Sequence, residues 1–339
     1  MTSDLKKPVD LNDKAILVTG GTGSFGQAFV QRVIETSMPR RLIVFSRDEL
    51  KQYEMAKRFP EAKYPFMRYF IGDVRDLSRL EMAMRGVDIV VHAAAMKHVG
   101  AAEYNPFECI RTNVHGAENI VTASIKAGVK KVIALSTDKA CSPINLYGAS
   151  KLAADKIFVA GNHLSAMSPP FAVVRYGNVL GSRGSVLPFF RELIEKGTDH
   201  LPITDPRMTR FWITLRQGVD FVLSCLNLMQ GGELFVPQIP SMKITDIASH
   251  LAPNLPLREV GIRPGEKLHE QMITVDDARN TIALSDRYII TPMLGEWNAA
   301  SYNALGAAPV EEGFRYSSDT NTHWLDAAGL ERMLAESHS

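Results

Sequence analysis

The sequence predicts an α/β protein: a Rossmann-type, doubly wound parallel sheet with a smaller, mostly C-terminal α/β portion. Three observations carry this. Short, continuously apolar runs alternate with stretches of helical periodicity through the first half, as strands buried on both faces require. A glycine cluster, Thr19-Gly20-Gly21-Thr22-Gly23-Ser24-Phe25-Gly26, falls where the first run meets the first helical stretch. The chain has 339 residues, 45% of them apolar, enough for one large domain or two modest ones with a real core.

Residues 14–19 (K-A-I-L-V-T) form the first strand, and the glycine turn leads into a helix from 24 to about 36. Residues 41–46 (R-L-I-V-F-S) read as a second buried strand and 48–59 as a helix. Further strands fit 67–71, 88–92, 131–136 and 171–175, with helical patterns at 77–85, 103–127 and 147–161. The rhythm changes after Gly177. Helical stretches at 186–196 and 216–229 are separated by the loops S-R-G-S-V-L-P and I-T-D-P-R-M-T-R-F-W. A basic–acidic cluster, I-R-P-G-E-K-L-H-E, follows at 262–270, and 292–339 carries the weakest pattern. The expected division is a dinucleotide-binding domain over 12–177 and a substrate-binding portion over 178–339, partly interwoven with the first.

Composition excludes several classes. The 38 basic and 37 acidic residues leave a net charge of +1, so no nucleic-acid or membrane field is implied, and any grip on an anion must be local. Cys109, Cys141 and Cys225 are odd in number and far apart, which suggests neither a metal site nor a disulfide framework. The opening residues lack the apolar core of a signal peptide, and no run approaches the roughly 18 apolar residues of a membrane span. No repeat or low-complexity tract is present. A soluble, cytoplasmic protein is the expectation.

Glycines at 20, 23 and 26 permit a tight turn and let backbone approach a pyrophosphate, which the helix N-terminus attracts. The spacing is G-x-x-G-x-x-G rather than G-x-G-x-x-G, and such a turn alone also fits an ordinary loop. Its strand–helix setting selects a dinucleotide, with Thr22, Ser24 and Phe25 among its contacts. At the end of the second strand, Ser46, Arg47 and Lys51 make a phosphate clamp, which favours NADP. Ser46 or Asp48 could instead cap the helix beside a solvated Arg47, and Asp48 leaves NAD open. Asp73, with Val74, ends the third strand, where an acid could hold adenine by its amino group. Ala93 and Ala94 end the fourth, where small side chains let the cofactor pass closely.

The richest segment is Ser136–Lys151, S-T-D-K-A-C-S-P-I-N-L-Y-G-A-S-K. Tyr147 and Lys151 are four residues apart and share one helix face. A phenol becomes a usable base only when a cation stabilises its phenolate, and Lys151 can supply that cation. Asp138 and Lys139, at the carboxyl end of a strand, add an acid and a possible second base, for which simple hydride transfer has no need. Asp138 could equally cap a turn, and Lys139 could be a solvated lysine. Lys97 and His98 could be ordinary helix-start residues.

Together, G-x-x-G-x-x-G, H-A-A-A and Y-x-x-x-K resemble the extended short-chain dehydrogenase/reductase family, over nearly the whole chain. The strings S-R-D-E-L-K-Q (46–52), A-E-Y-N-P (102–106), S-T-D-K-A (136–140), P-I-N-L-Y-G (143–148), V-R-Y-G-N-V (174–179), M-T-R-F-W-I-T (208–214) and G-I-R-P-G-E-K-L-H-E (261–270) resemble its configuration-inverting UDP-N-acetylglucosamine 4,6-dehydratases. That group opens pseudaminic acid biosynthesis and, through it, flagellin glycosylation. Membrane-bound relatives carry transmembrane helices ahead of this domain; none is found here, which points to the short branch. The sequence departs at Cys141-Ser142, where relatives often have a small residue then Asn, and at Met96 and Gly100 around Lys97.

The resemblance implies dehydration of UDP-N-acetylglucosamine to UDP-2-acetamido-2,6-dideoxy-β-L-arabino-hex-4-ulose, with NADP+ regenerated in each cycle and the protein a homo-oligomer. Tyr147, backed by Lys151, takes the 4-hydroxyl proton, and Thr137 hydrogen-bonds the substrate near C4. Asp138 protonates the leaving 6-hydroxyl. Lys139, standing where retaining relatives have Glu, takes the C5 proton. That role requires its pKa to fall toward neutrality through burial or a nearby cation, with Lys97, Lys151 and the positive end of the nicotinamide ring as candidates. Reprotonation from the opposite face is left open, Tyr147 being one possibility. Val179 is expected at the cofactor. Lys97, Lys139, Asn178, Arg183, Gly184, Ser185, Val186, Arg210, Arg263 and Glu266 are expected at the nucleotide sugar, although Arg210 could instead stack on a core aromatic. No metal is expected. The alternatives are a nucleotide-sugar 4-epimerase, which has no use for Asp138 and Lys139, and a cofactor-sensing regulator, which would not need the tyrosine–lysine pair.

Overall fold

A computed structural model describes residues 5–181, 185–295 and 297–338. The first half builds the alternating scaffold: β1 (Ala15–Thr19), α1 (Ser24–Thr36), β2 (Arg41–Ser46), α2 (Glu49–Arg58), β3 (Met67–Ile71), α3 (Leu77–Ala83), β4 (Ile89–His92), α4 (Gly116–Ala127), β5 (Lys131–Thr137), α5 (Leu146–Gly161) and β6 (Phe171–Tyr176). The six strands pair in parallel in the order β3-β2-β1-β4-β5-β6. The order reverses between β1 and β4, and a crevice at the carboxyl ends of such strands is where ligands bind in open α/β sheets. β1 and β6 are buried at every position, which accounts for their unbroken apolar runs.

Four strands from the C-terminal half extend the same sheet to ten. Leu234–Pro237 joins β6 in parallel; Arg287–Ile290, Thr281–Ala283 and Ala308–Pro309 then add antiparallel to one another beyond it. Helix Leu215–Leu228, started by a Thr214–Gln217 capping box, packs against α1, and Arg32 reaches Asp220 at 2.7 Å across that contact. A separate core forms around Trp212, Phe190, Leu201, Ile247 and Leu330. It is framed by a small sheet of Asn178–Val179, Thr209–Ile213 and Ser241–Lys243 and by helix Val186–Glu195.

The helix expected over 103–127 is instead broken. Val99–Tyr104 ends at Asn105, Pro106 starts a new helix, and Arg111–His115 forms a π-turn before α4. Pro106 lacks the N–H needed to continue the first helix. The π-turn swings Asn113 inward, where its amide donates to the Met96 carbonyl at 3.0 Å and to Ser150 Oγ at 2.9 Å, and its Oδ1 accepts from Met96 N at 2.8 Å. The apolar periodicity survives these interruptions, so it could not report them.

Candidate active site

The crevice begins where β1 and β4 end. Thr19 Oγ1 lies 2.8 Å from His92 Nδ1 and accepts from the backbone N–H groups of Ala93 and Ala94 at 3.2 Å each, tying the two strand ends together. Gly20 sits at φ +64°, and a Cβ there would lie 2.9 Å from the backbone of Ala93 and Ala94. At Gly26 a Cβ would collide with the Gly21 backbone. Gly23 caps α1 without a side-chain bond, and the first turn holds no acid, so the N–H groups at the end of α1 are open to an anion. Thr22 is buried beside them, and Phe25 stacks on Phe29 one turn along. A dinucleotide pyrophosphate fits this cradle of glycine backbone and helix N-terminus.

At the end of β2 the three clamp residues separate. Ser46 Oγ accepts from Gln52 at 3.0 Å, and Lys51 Nζ pairs with Asp48 at 2.8 Å. Asp48 is also the N-cap of α2, accepting from Lys51 N. Arg47 remains 68% exposed and leans 3.8 Å from Asp73, so it is the member most open to a phosphate. Asp73 is partly buried, which opposes its charge. Arg75 at 2.7 Å and Arg47 nevertheless hold its carboxyl below the usual range. Val74 lies buried under Gly116.

Tyr147 and Lys151 share the inner face of α5, with Asp155 one turn further. Asn145 caps the helix through Gly148 N at 2.7 Å. Gly148 is required because a Cβ there would strike the Lys139 carbonyl, which brings the turn after β5 directly against Tyr147. Burial pushes the Tyr147 phenol up to about 12, against the downward pull of Lys139 and Thr137. Lys151 donates to the Leu135 carbonyl at 2.7 Å, and burial lowers its pKa. Lys139 is thus a second ammonium, besides Lys151 on the same helix face, whose charge pulls the phenol down. Asp155 accepts from Ser136 Oγ at 2.8 Å and Arg175 at 3.2 Å, and Arg175 also donates to the Met272 carbonyl.

Asp138 and Lys139 open a single 3-10 turn capped by Thr137. Asp138 is 1% exposed; its Oδ1 accepts from Thr137 Oγ1 at 2.9 Å and from Lys139 Nζ at 3.0 Å, while Oδ2 has no partner among the described residues. Burial, reinforced by Glu270, raises the Asp138 pKa despite the adjacent ammonium, as suits an acid kept ready to donate. The expected fall in the Lys139 pKa does not occur. Burial pulls it down, but Asp138 and Glu270, whose Oε1 is 3.3 Å from Nζ, overcome that and raise it. The cation opposing them is Arg210. Ser142 holds φ +44°, the left-handed region in which Asn is favoured, at the point where the sequence departs from the family pattern.

The 261–270 segment folds across this turn. Asn145 donates to the Gly265 carbonyl at 2.8 Å and Lys267 to the Cys141 carbonyl at 2.6 Å. Arg210 is 7% exposed and gives its terminal nitrogens to the carbonyls of Thr209, Leu268 and Lys267, with Nε 3.8 Å from Glu270. Three of its five N–H donors are thus committed to backbone carbonyls. Arg263 is 63% exposed and 3.8 Å from Glu266. Asn178 Oδ1, Ser185 Oγ and Glu266 Oε2 are buried without partners among the described residues, as groups awaiting a ligand would be. Val186 opens the helix after Ser185, Val179 packs against the main core, and Lys97 is exposed beside β4. Arg183 and Gly184 lie outside the described residues.

Sequence reasoning missed Glu270 and Arg75. Glu270 ends a quoted string, but its approach to Lys139 depends on Ser318. The Ser318 hydroxyl accepts from Glu270 N at 2.9 Å, and Ser318 N donates to the Glu270 carbonyl at 2.8 Å. Arg75 follows Asp73 by two positions, and that spacing was its only signal.

A doubly wound sheet with a glycine turn at its switch point and a tyrosine–lysine pair on α5 defines the class: a short-chain dehydrogenase/reductase of the extended type. More particularly, the chain belongs to the polysaccharide biosynthesis protein family, whose model matches residues 16–292. It is 58% identical to a UDP-N-acetylglucosamine 4,6-dehydratase (inverting) of Campylobacter jejuni subsp. jejuni serotype O:2, over 95% of this chain and 98% of that protein. A UDP-glucose 4-epimerase of Rickettsia canadensis is 40% identical over 95% of both chains. Among solved structures, Pen from Bacillus thuringiensis superposes with a TM-score of 0.88 at 34% identity, over 97% of this chain and 99% of that one.

Proposed function

We propose that the protein is a hydro-lyase that dehydrates UDP-N-acetylglucosamine with inversion at C5, giving UDP-2-acetamido-2,6-dideoxy-β-L-arabino-hex-4-ulose. The observation that carries this reading is the couple of buried Asp138 and part-buried Lys139 against Tyr147, an acid and a base that a 4-epimerase does not need. The 58% identity to an inverting dehydratase supports it; the 40% identity to a named epimerase keeps epimerisation as the reading to be excluded.

A bound nicotinamide dinucleotide supplies the hydride acceptor at C4 and the hydride returned at C6. Glycines 20, 23 and 26 hold its pyrophosphate, Asp73 its adenine end, and Arg47 a 2′-phosphate, so NADP is the preferred form. Tyr147 takes the proton of the 4-hydroxyl. The resulting 4-ketone acidifies the C5 proton, which Lys139 removes while Asp138 delivers its proton to O6, and water leaves. Tyr147 then gives its proton to C5 from the opposite face. Lys151 orients the ribose and the helix face behind Tyr147, and Thr137 holds O4. Residues 178–339 supply most of the nucleotide-sugar site, through Asn178, Ser185, Arg263 and Glu266.

No helix among the described residues is long and apolar enough to cross a membrane. The reading places the protein in the cytoplasm as a homo-oligomer, at the head of pseudaminic acid synthesis for flagellin glycosylation. Incubation with UDP-N-acetylglucosamine, without added reductant, should give a nucleotide sugar lighter by one water. A product of unchanged mass with only C4 inverted would establish the epimerase instead.

A further inference from the structure

Two carboxylates, an ammonium and a guanidinium gather beside Tyr147: Asp138, Glu270, Lys139 and Arg210, with the Lys139 side chain 26% exposed and the other three buried. Glu270 is 2% exposed, Asp138 1% and Arg210 7%. Lys139 Nζ lies between the acids, 3.0 Å from Asp138 Oδ1 and 3.3 Å from Glu270 Oε1, with Arg210 Nε 3.8 Å beyond Glu270. The second oxygen of each acid has no partner among the described residues. The dehydration step described above uses Asp138 and Lys139 and leaves Glu270 without a role.

A proton count shows what such a cluster can do. Dehydration needs Asp138 protonated and Lys139 neutral at once. That state is a tautomer of the Asp138 carboxylate–Lys139 ammonium pair, reached by breaking one Lys139 N–H bond and forming one Asp138 O–H bond. In the elimination the C5–H bond breaks and a Lys139 N–H bond forms; the C6–O6 bond breaks as O6 takes the Asp138 proton and leaves as water. The pair is thereby returned to carboxylate and ammonium. Tyr147 gains the O4 proton and passes it to C5, so its own balance closes. One transfer from Lys139 to Asp138 therefore suffices to re-arm the site after each turnover.

We propose that Glu270 is a positioning residue for the dehydration: with Arg210 behind it, its carboxylate fixes Lys139 against Asp138, so that one proton moving across the 3.0 Å contact makes and restores the acid–base couple. The charge on Glu270 also discourages a second negative charge on Asp138 and so favours the protonated acid. Burial opposes the charge on Glu270, but Lys139 first, then Arg210 and Lys267, hold its carboxyl below the ordinary value. Among the described residues, Lys139 is faced by Asp138 on its own turn, Tyr147 on α5, Arg210 on strand Thr209–Ile213 and Glu270 on the 261–270 segment, where Lys267 acts in turn on Glu270.

This inference rests on the dehydratase reading. Glu270→Gln should lower kcat with little change in KM and move the acid limb of its pH profile to lower pH by about 1–3 units, the effect of removing one close charge. Glu270→Asp, which keeps the charge, should return most of that shift. A role confined to folding would lower activity without moving the limb. Should Glu270→Gln not fold, Lys267→Met reads the same cluster from the other side, and the limb should move to higher pH. Wild-type protein run alongside separates the two failures. No water-loss product from wild type overturns the dehydratase reading; wild-type dehydration with an unmoved limb in the variants overturns the role of Glu270.

Discussion

Lys267 donates its ammonium to the carbonyl of Cys141 at 2.6 Å, fastening the 261–270 segment over the turn that bears Asp138 and Lys139. With the Asn145–Gly265 bond, it lets a segment from the C-terminal half complete the electrostatics of a site begun at the end of β5. The chemistry proposed here depends on that closure.

Lys139→Ala removes the proposed C5 base and the ammonium that contacts both Asp138 and Glu270. Dehydration should fall by about 10²–10⁴-fold, the usual span for loss of a positioned acid or base. The far-ultraviolet spectrum and dinucleotide binding should be retained, because Asp138 and Glu270 can take up protons when the cation is gone. Turnover at the wild-type rate would remove Lys139 from the chemistry.

Asp155→Ala tests the support beneath the site. Its carboxylate is buried and accepts from Ser136 and Arg175, so truncation leaves a buried guanidinium without its charge partner. The expected loss is about 3–5 kcal/mol in urea-induced unfolding. A loss below about 1 kcal/mol would show that Arg175 is satisfied by the Met272 carbonyl alone.

Burial, helped by Lys151, lowers the His92 pKa from its ordinary 6.5 to about 3. Between those values the unfolded chain binds a proton that the native protein refuses, so stability is fully present above 6.5 and falls as pH drops toward 3. The slope is about 1.4 kcal/mol per pH unit, and the total is up to about 5 kcal/mol. His92→Asn, which can keep the contact with Thr19, should flatten this slope in unfolding measurements at pH 6.5, 5.5 and 4.5. An equally steep slope in the variant would place the acid sensitivity elsewhere.

Much of the scaffold was legible because its signals are local. Tyr147 and Lys151 share a helix face by spacing alone, and the all-buried β1 and β6 announce themselves as unbroken apolar runs. The broken helix across 103–127 was not legible, since Pro106 and the π-turn at Asn113 interrupt the hydrogen bonds but not the apolar period. Glu270 was out of reach for a different reason. Its contact with Lys139 exists only once Gln271–Ile273 pairs with Tyr316–Ser317 and Ser318 pins the Glu270 backbone. No sequence signal says that three backbone carbonyls take three of the five Arg210 donors. The direction of the Lys139 shift was misread because the adjacent Asp138 carboxylate, joined by Glu270, outweighs burial.

Arg47→Ala should weaken binding of NADP by about 10- to 100-fold, the worth of a charge-assisted bond to phosphate, and leave NAD binding nearly unchanged. Titration of each dinucleotide by calorimetry measures both. Equal losses for the two would assign Arg47 to the shared adenosine portion and remove the basis for preferring NADP.

The central claim is that Asp138 and Lys139 expel water and that C5 inverts. NMR of the product formed from UDP-N-acetylglucosamine in deuterated water tests it directly. The account predicts a 6-deoxy-4-keto sugar of L-arabino configuration with deuterium at C5. A 4-keto sugar of D-xylo configuration would contradict the inversion, and a C4-epimeric hexose retaining its 6-hydroxyl would contradict the dehydration itself.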